Sequence, residues 1–74
     1  MSSKDFNIFV VIHPEKDEPI AEIYYKQEEV AEVFLENKQF ILNLFPSSSA
    51  SYWEFSLGSF QDCLDDAKRR LMGQ

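Results

Sequence analysis

At 74 residues the chain has room for one domain, 1–74, with a thin core; a domain of this size buries only about 60% of the surface its unfolded form exposes. Its 45% hydrophobic and 15% aromatic content is too high for a disordered chain. Thirteen acids against seven bases give a formal net charge of −6. That balance argues against a nucleic-acid partner, which needs clustered Lys and Arg, and would favour a basic one.

Small domains often need a staple, and Cys63 is the single cysteine, so an intramolecular disulfide is excluded. His13, Cys63 and carboxylates show no usual zinc-ligand spacing, so no metal and no cofactor are expected. Association with a second copy remains as a route to stability. No apolar run approaches the roughly 18 residues of a membrane span. Met1-Ser2-Ser3-Lys4-Asp5 lacks the apolar stretch of a signal peptide. With a lone thiol as well, the expected setting is the cytoplasm, with no membrane partner.

In chain order, Phe6–Ile12 is short, β-branched and aromatic, which predicts a strand. It is apolar on both faces, as an interior strand would be. His13 to Pro19 is a polar connection. A second strand is expected over 20–26, with Ala21, Ile23 and Tyr25 on one face. Gln27-Glu28-Glu29 reads as the next turn. A third strand follows over 30–36; its Glu and Ala would also suit a helix, but Val30, Val33 and Phe34 disfavour one. Asn37-Lys38 is a tight turn into a fourth strand over 39–45. That turn pairs Leu35 with Phe40, Val33 with Leu42 and Ala31 with Leu44, so all six apolar residues share one face. An even register at the preceding turn would set Ile23 against Glu32, so an odd-length loop or a bulge is expected there.

Pro46 to Ser51 reads as a mobile, serine-rich linker, and 52–55 as a short fifth strand. A helix is expected over about 57–72, starting near Ser56 or Ser59, where Ser59-Phe60-Gln61-Asp62 resembles a capping box. Phe60, Cys63, Leu64, Ala67 and Leu71 fall on one stripe at helical spacing. Asp62, Asp65 and Asp66 precede Lys68, Arg69 and Arg70, an order suited to the helix dipole. It also offers Asp65–Arg69 and Asp66–Arg70 pairs. Gly73 ends the helix. The fold class is therefore α+β: an antiparallel meander of four to five strands with one C-terminal helix. The helix is expected across the face of Ala21, Ile23, Tyr25, Ala31, Val33, Leu35, Phe40, Leu42, Leu44, Trp53 and Phe55.

Nothing in the chain has the spacing of a catalytic site. His13 lacks a nucleophile or carboxylate partner and reads as a solvated loop residue. Cys63 reads as a buried helix residue with Asp62 beside it, the wrong setting for a reactive thiol. Glu15, Asp17 and Glu18 lack the glycine of a calcium loop. Lys68, Arg69 and Arg70 are a small basic group at the end of an acidic helix. The informative feature is the sheet face the helix leaves free, where Phe9, Val11, Tyr24, Phe34, Ile41, Phe45 and Tyr52 are expected among Asn7, Glu22, Lys26, Glu32 and Asn43. Large apolar groups on such a face mark an interaction surface. The expectation is a non-catalytic protein that pairs with itself or with another protein there. The alternatives are an acidic inhibitor of a basic partner (an antitoxin, immunity protein or nucleic-acid mimic) and a small-ligand carrier lined by Tyr25, Trp53 and Cys63.

Overall fold

A computed structural model describes residues 5–73; the reading of Met1–Lys4 as free of a leader lies outside them. The strands are β1 (Phe6–Ile12), β2 (Pro19–Tyr25), β3 (Glu28–Glu36) and β4 (Gln39–Leu44), and α1 (Leu57–Leu71) follows. The strands form one antiparallel sheet in the order β1-β2-β3-β4, with the helix against it, so the α+β meander with a C-terminal helix holds. β1 is consequently an edge strand rather than an interior one. In a meander each strand pairs with its chain neighbours, which leaves the first at the rim.

Both tight turns follow from residues placed at positive φ. Asn37 and Lys38 have φ of 52° and 67°, the hairpin turn whose twist matches the strands. The expected pairs result: Leu35 with Phe40, Val33 with Leu42 and Ala31 with Leu44. The preceding turn is Lys26–Gln27 (φ 50° and 74°), one residue earlier than expected. A bulge then supplies the shift in parity. Tyr24 pairs with Glu29 while Ile23 pairs with Ala31, leaving Val30 as the extra residue. The bulge returns Ala31 and Val33 to the inner face, and both Val30 and Ala31 are fully buried.

The core is Phe6, Ala21, Ile23, Val30, Ala31, Val33, Cys63 and Ala67. The helix stripe docks as its spacing predicts, with Phe60, Leu64 and Leu71 half-buried against this core. Ser56, not Ser59, caps the helix: its hydroxyl accepts from the Ser59 amide at 3.2 Å. No acid lies in the first turn, so the dipole is matched only at the C-terminal end, by Lys68, Arg69 and Arg70. Asp66 pairs with Arg70 (3.5 Å) and with Arg69 (3.4 Å). Asp65 pairs with Lys68 (3.8 Å) rather than with Arg69. Gly73, at φ 81°, follows the helix end in the left-handed region.

Two expectations about the inner face change. Tyr52–Phe55 is coil, not a fifth strand. Its side chains hold it instead: Trp53 Nε1 donates to the Phe45 carbonyl at 2.6 Å, and the Phe55 ring meets Phe6, Tyr25 and Phe60 at 5.0 Å each. Secondly, the helix packs over β1, β2 and β3 and leaves most of β4 uncovered. A helix about 10 Å wide cannot span four strands spaced about 4.8 Å apart. Leu35, Phe40, Leu42 and Leu44, expected beneath it, are therefore exposed.

Candidate interaction surface

The outer face, opposite the helix, is organised in rows across the strands. Val11 pairs with Ile20, Ile20 with Phe34 and Phe34 with Ile41, so one apolar row crosses all four strands. Ile20, Phe34 and Ile41 are half-buried and Val11 is exposed. Lys16, from the β1–β2 loop, lies 5.5 Å from the centre of the Phe34 ring and shields part of it. The adjacent row is Phe9, Glu22, Glu32 and Asn43. Here Glu22 stands directly opposite Glu32, a like-charged pair that an antiparallel ladder disfavours. Asn43 Nδ2 donates to Glu32 Oε1 at 3.2 Å and relieves one of the two. Beyond them Tyr24 pairs with Glu29, and the Tyr24 ring meets Phe9 edge-on at 5.6 Å.

Electrostatics follow this arrangement. Burial, with Glu22 and Glu32 beside it, holds the Glu29 carboxyl above its usual range. The Glu29 charge, then burial and Glu22, raise the Tyr24 hydroxyl in turn. The face thus combines an apolar row with an acidic patch walled by two aromatic rings.

Of the residues assigned to this face from sequence, Phe9, Val11, Tyr24, Phe34 and Ile41 are brought together on it. Phe45 lies one residue beyond β4, half-buried, its amide donating to the Val30 carbonyl at 2.8 Å. Tyr52 is not on the outer face. Without a fifth strand it lies in coil and lines a cleft of about 350 Å³ with Tyr25, Trp53 and Ser47. Ile20 and Glu29 were missed. Alternation within β2 already put Ile20 with Tyr24, but Glu29 needed the bulge.

The remaining candidates lie elsewhere in the fold. His13 Nδ1 accepts from the amides of Glu15 (3.1 Å) and Lys16 (3.2 Å), which pins the β1–β2 loop. Cys63 is buried, and burial, with Asp66 adding to it, pushes its thiol up to about 11. Tyr25 and Trp53 line the coil cleft while Cys63 sits inside the core, so the three do not form one ligand cavity. The serine-rich segment, expected to be mobile, is tied down. Glu28 accepts from the amide and hydroxyl of Ser48 and from the Ser49 hydroxyl, and the Ser48 bonds hold the Glu28 carboxyl below its usual range. Among the described residues no group of His, Cys, Asp or Glu is gathered to hold a metal. Nor is any helix among them long and apolar enough to cross a membrane.

Compared with known proteins, the chain matches no family model, no curated protein and no solved structure.

Proposed function

We propose that the chain is a non-catalytic interaction protein that binds another protein through its outer sheet face. The observation that carries this reading is the unbroken row Val11–Ile20–Phe34–Ile41 beside the exposed ring of Phe9, which is 54% accessible. An antiparallel sheet usually turns a polar face to solvent. Covering one large apolar side chain contributes about 1.5–3 kcal/mol, so a partner that covers the row gains enough to offset part of the entropy of association. The polar groups at hand supply no nucleophile–base pair, and the one histidine is engaged with its own loop. A single buried thiol fits a cytoplasmic setting.

A second reading, an acidic inhibitor of a basic protein, is favoured by the opposed Glu22–Glu32 pair and Glu29 next to the apolar row. Such carboxylates would relax against Lys or Arg of a partner. Salt separates the readings. Capture through the acidic patch weakens steeply as ionic strength rises, whereas capture through the apolar row does not.

Methyl-resolved NMR tests the surface common to both. Added partner should shift the Val11, Ile20 and Ile41 methyls and leave Ile23 and Val30 in place. Shifts confined to the helix or the serine segment would reject the outer face.

A further inference from the structure

Beyond the outer face, β4 presents an open edge whose occupant can be named. The two-residue turn at Asn37–Lys38 makes Glu36 and Gln39 the flanking pair. In such a hairpin the flanking pair exchanges hydrogen bonds, and the pattern alternates from there. Gln39, Ile41 and Asn43 therefore bond to β3, and the Phe45 amide continues the series to Val30 at 2.8 Å. Phe40, Leu42 and Leu44 turn their N–H and C=O groups outward. Among the described residues no side-chain or loop hydrogen bond reaches them. The same three side chains lie on the inner face along the rim of the helix, where Lys68 Nζ stands 5.9 Å from the centre of the Phe40 ring, and they are 37%, 42% and 61% exposed. Natural edge strands are guarded by charge, proline or a bulge. Gln39-Phe40-Ile41-Leu42-Asn43-Leu44 carries no charge and no proline, and its pairing with β3 is regular.

The other edge differs. The Asp5 carbonyl and the His13 amide both serve the β2 side, so the even residues of β1 face outward. One of these, Ile8, gives its carbonyl to Arg70 Nη1 at 3.0 Å, and Arg70 is itself held by Asp66. A guanidinium thus occupies the β1 edge, which obstructs growth of an open β4-to-β1 fibre. A strand that pairs with its own copy gives a closed two-fold contact.

We infer that two copies of this chain join β4 to β4, antiparallel, with Leu42 opposite its own copy and Phe40 opposite Leu44. This register engages all three outward-facing residues, each pair exchanging both N–H···O bonds. It sets apolar side chains against apolar ones on the inner face, and Ile41 against Asn43 on the outer. One sheet then runs through both copies, with the two helices on one side. The two outer faces lie together on the other side, still free for a partner.

The test is sedimentation equilibrium of the whole chain with backbone hydrogen exchange. The wild type should sediment at twice its 8.7 kDa. The Phe40, Leu42 and Leu44 amides should exchange at least about tenfold more slowly in the dimer than at high dilution. Leu42→Pro removes an amide that bonds nothing within one copy, a position where an edge strand tolerates proline. It should give a folded monomer. Leu44→Lys, at the most exposed of the three positions, should do the same and serves if the proline variant fails to fold. Phe34→Glu, on the outer face, should leave the dimer intact. The inference is overturned by a wild type that stays monomeric at about 1 mM, the weak end of specific association. It is equally overturned by a dimer that survives Leu44→Lys, or by one abolished by Phe34→Glu alone.

Discussion

Phe6→Leu tests how the coil, the helix and the sheet are held together. Phe6 is 7% exposed, and its ring meets Tyr25 at 4.9 Å, Phe55 at 5.0 Å and Phe60 at 5.7 Å. It therefore joins β1 to β2, to the coil before the helix and to the first turns of α1. A near-volume-conserving apolar swap alone costs under about 1.5 kcal/mol. Each aromatic pair lost adds about 0.5–1.5 kcal/mol, with the lower end appropriate where three pairs share one ring. The expected loss is about 2–3 kcal/mol. A chain of this length has a total stability of roughly 4–11 kcal/mol, so the loss is large. By calorimetry or thermal circular dichroism it should lower Tm by roughly 10–20 °C. A loss below about 0.5 kcal/mol would mean that the ring cluster does not hold the coil, and that the helix is anchored by Cys63, Leu64, Ala67 and Leu71 without it.

Glu22→Lys should convert the repulsion with Glu32 into an attraction and raise stability by about 0.2–1 kcal/mol in urea unfolding; an unchanged or lower midpoint would show that the two carboxylates do not strain the face. Cys63, with its thiol near 11, should react with a disulfide reagent at pH 8 at least about a hundredfold more slowly than an exposed cysteine. Raising the pH toward 11 should speed the reaction, since only the thiolate attacks, and labelling at the free-thiol rate at pH 8 would contradict the buried placement.

The sheet was legible because its information is local and periodic. Asn37-Lys38 sets the β3–β4 register, and alternation from that turn puts Phe34 and Ile41 together. The helix was legible in the Phe60–Leu71 stripe. The misplacements came from non-local geometry. Nothing within Tyr52–Phe55 distinguishes a fifth strand from a coil pinned by its rings to Phe6 and Tyr25. The apolar alternation of β4 resembles that of a covered strand, and only the width of one helix against four strands leaves it open. Val30 looked like an ordinary strand residue, although the need for a parity shift after Ile23 was already visible. On the candidate surface, five of the seven sequence-assigned residues share the outer face. Tyr52 was lost with the fifth strand, and Phe45 lies beyond the end of β4.

The central claim is that the outer row is a binding surface and not core. Capture of a partner from host extract by tagged wild type, Phe34→Glu and Leu42→Pro tests it most directly. Phe34 lies opposite Ile20 and Ile41 on the outer face with Lys16 over its ring, so a carboxylate there should leave far-UV circular dichroism unchanged. Wild type and Leu42→Pro should retain the same partner, and folded Phe34→Glu should lose it. Equal retention by Phe34→Glu would show that the outer row does not bind the partner, and unfolding of Phe34→Glu would show that the row is core.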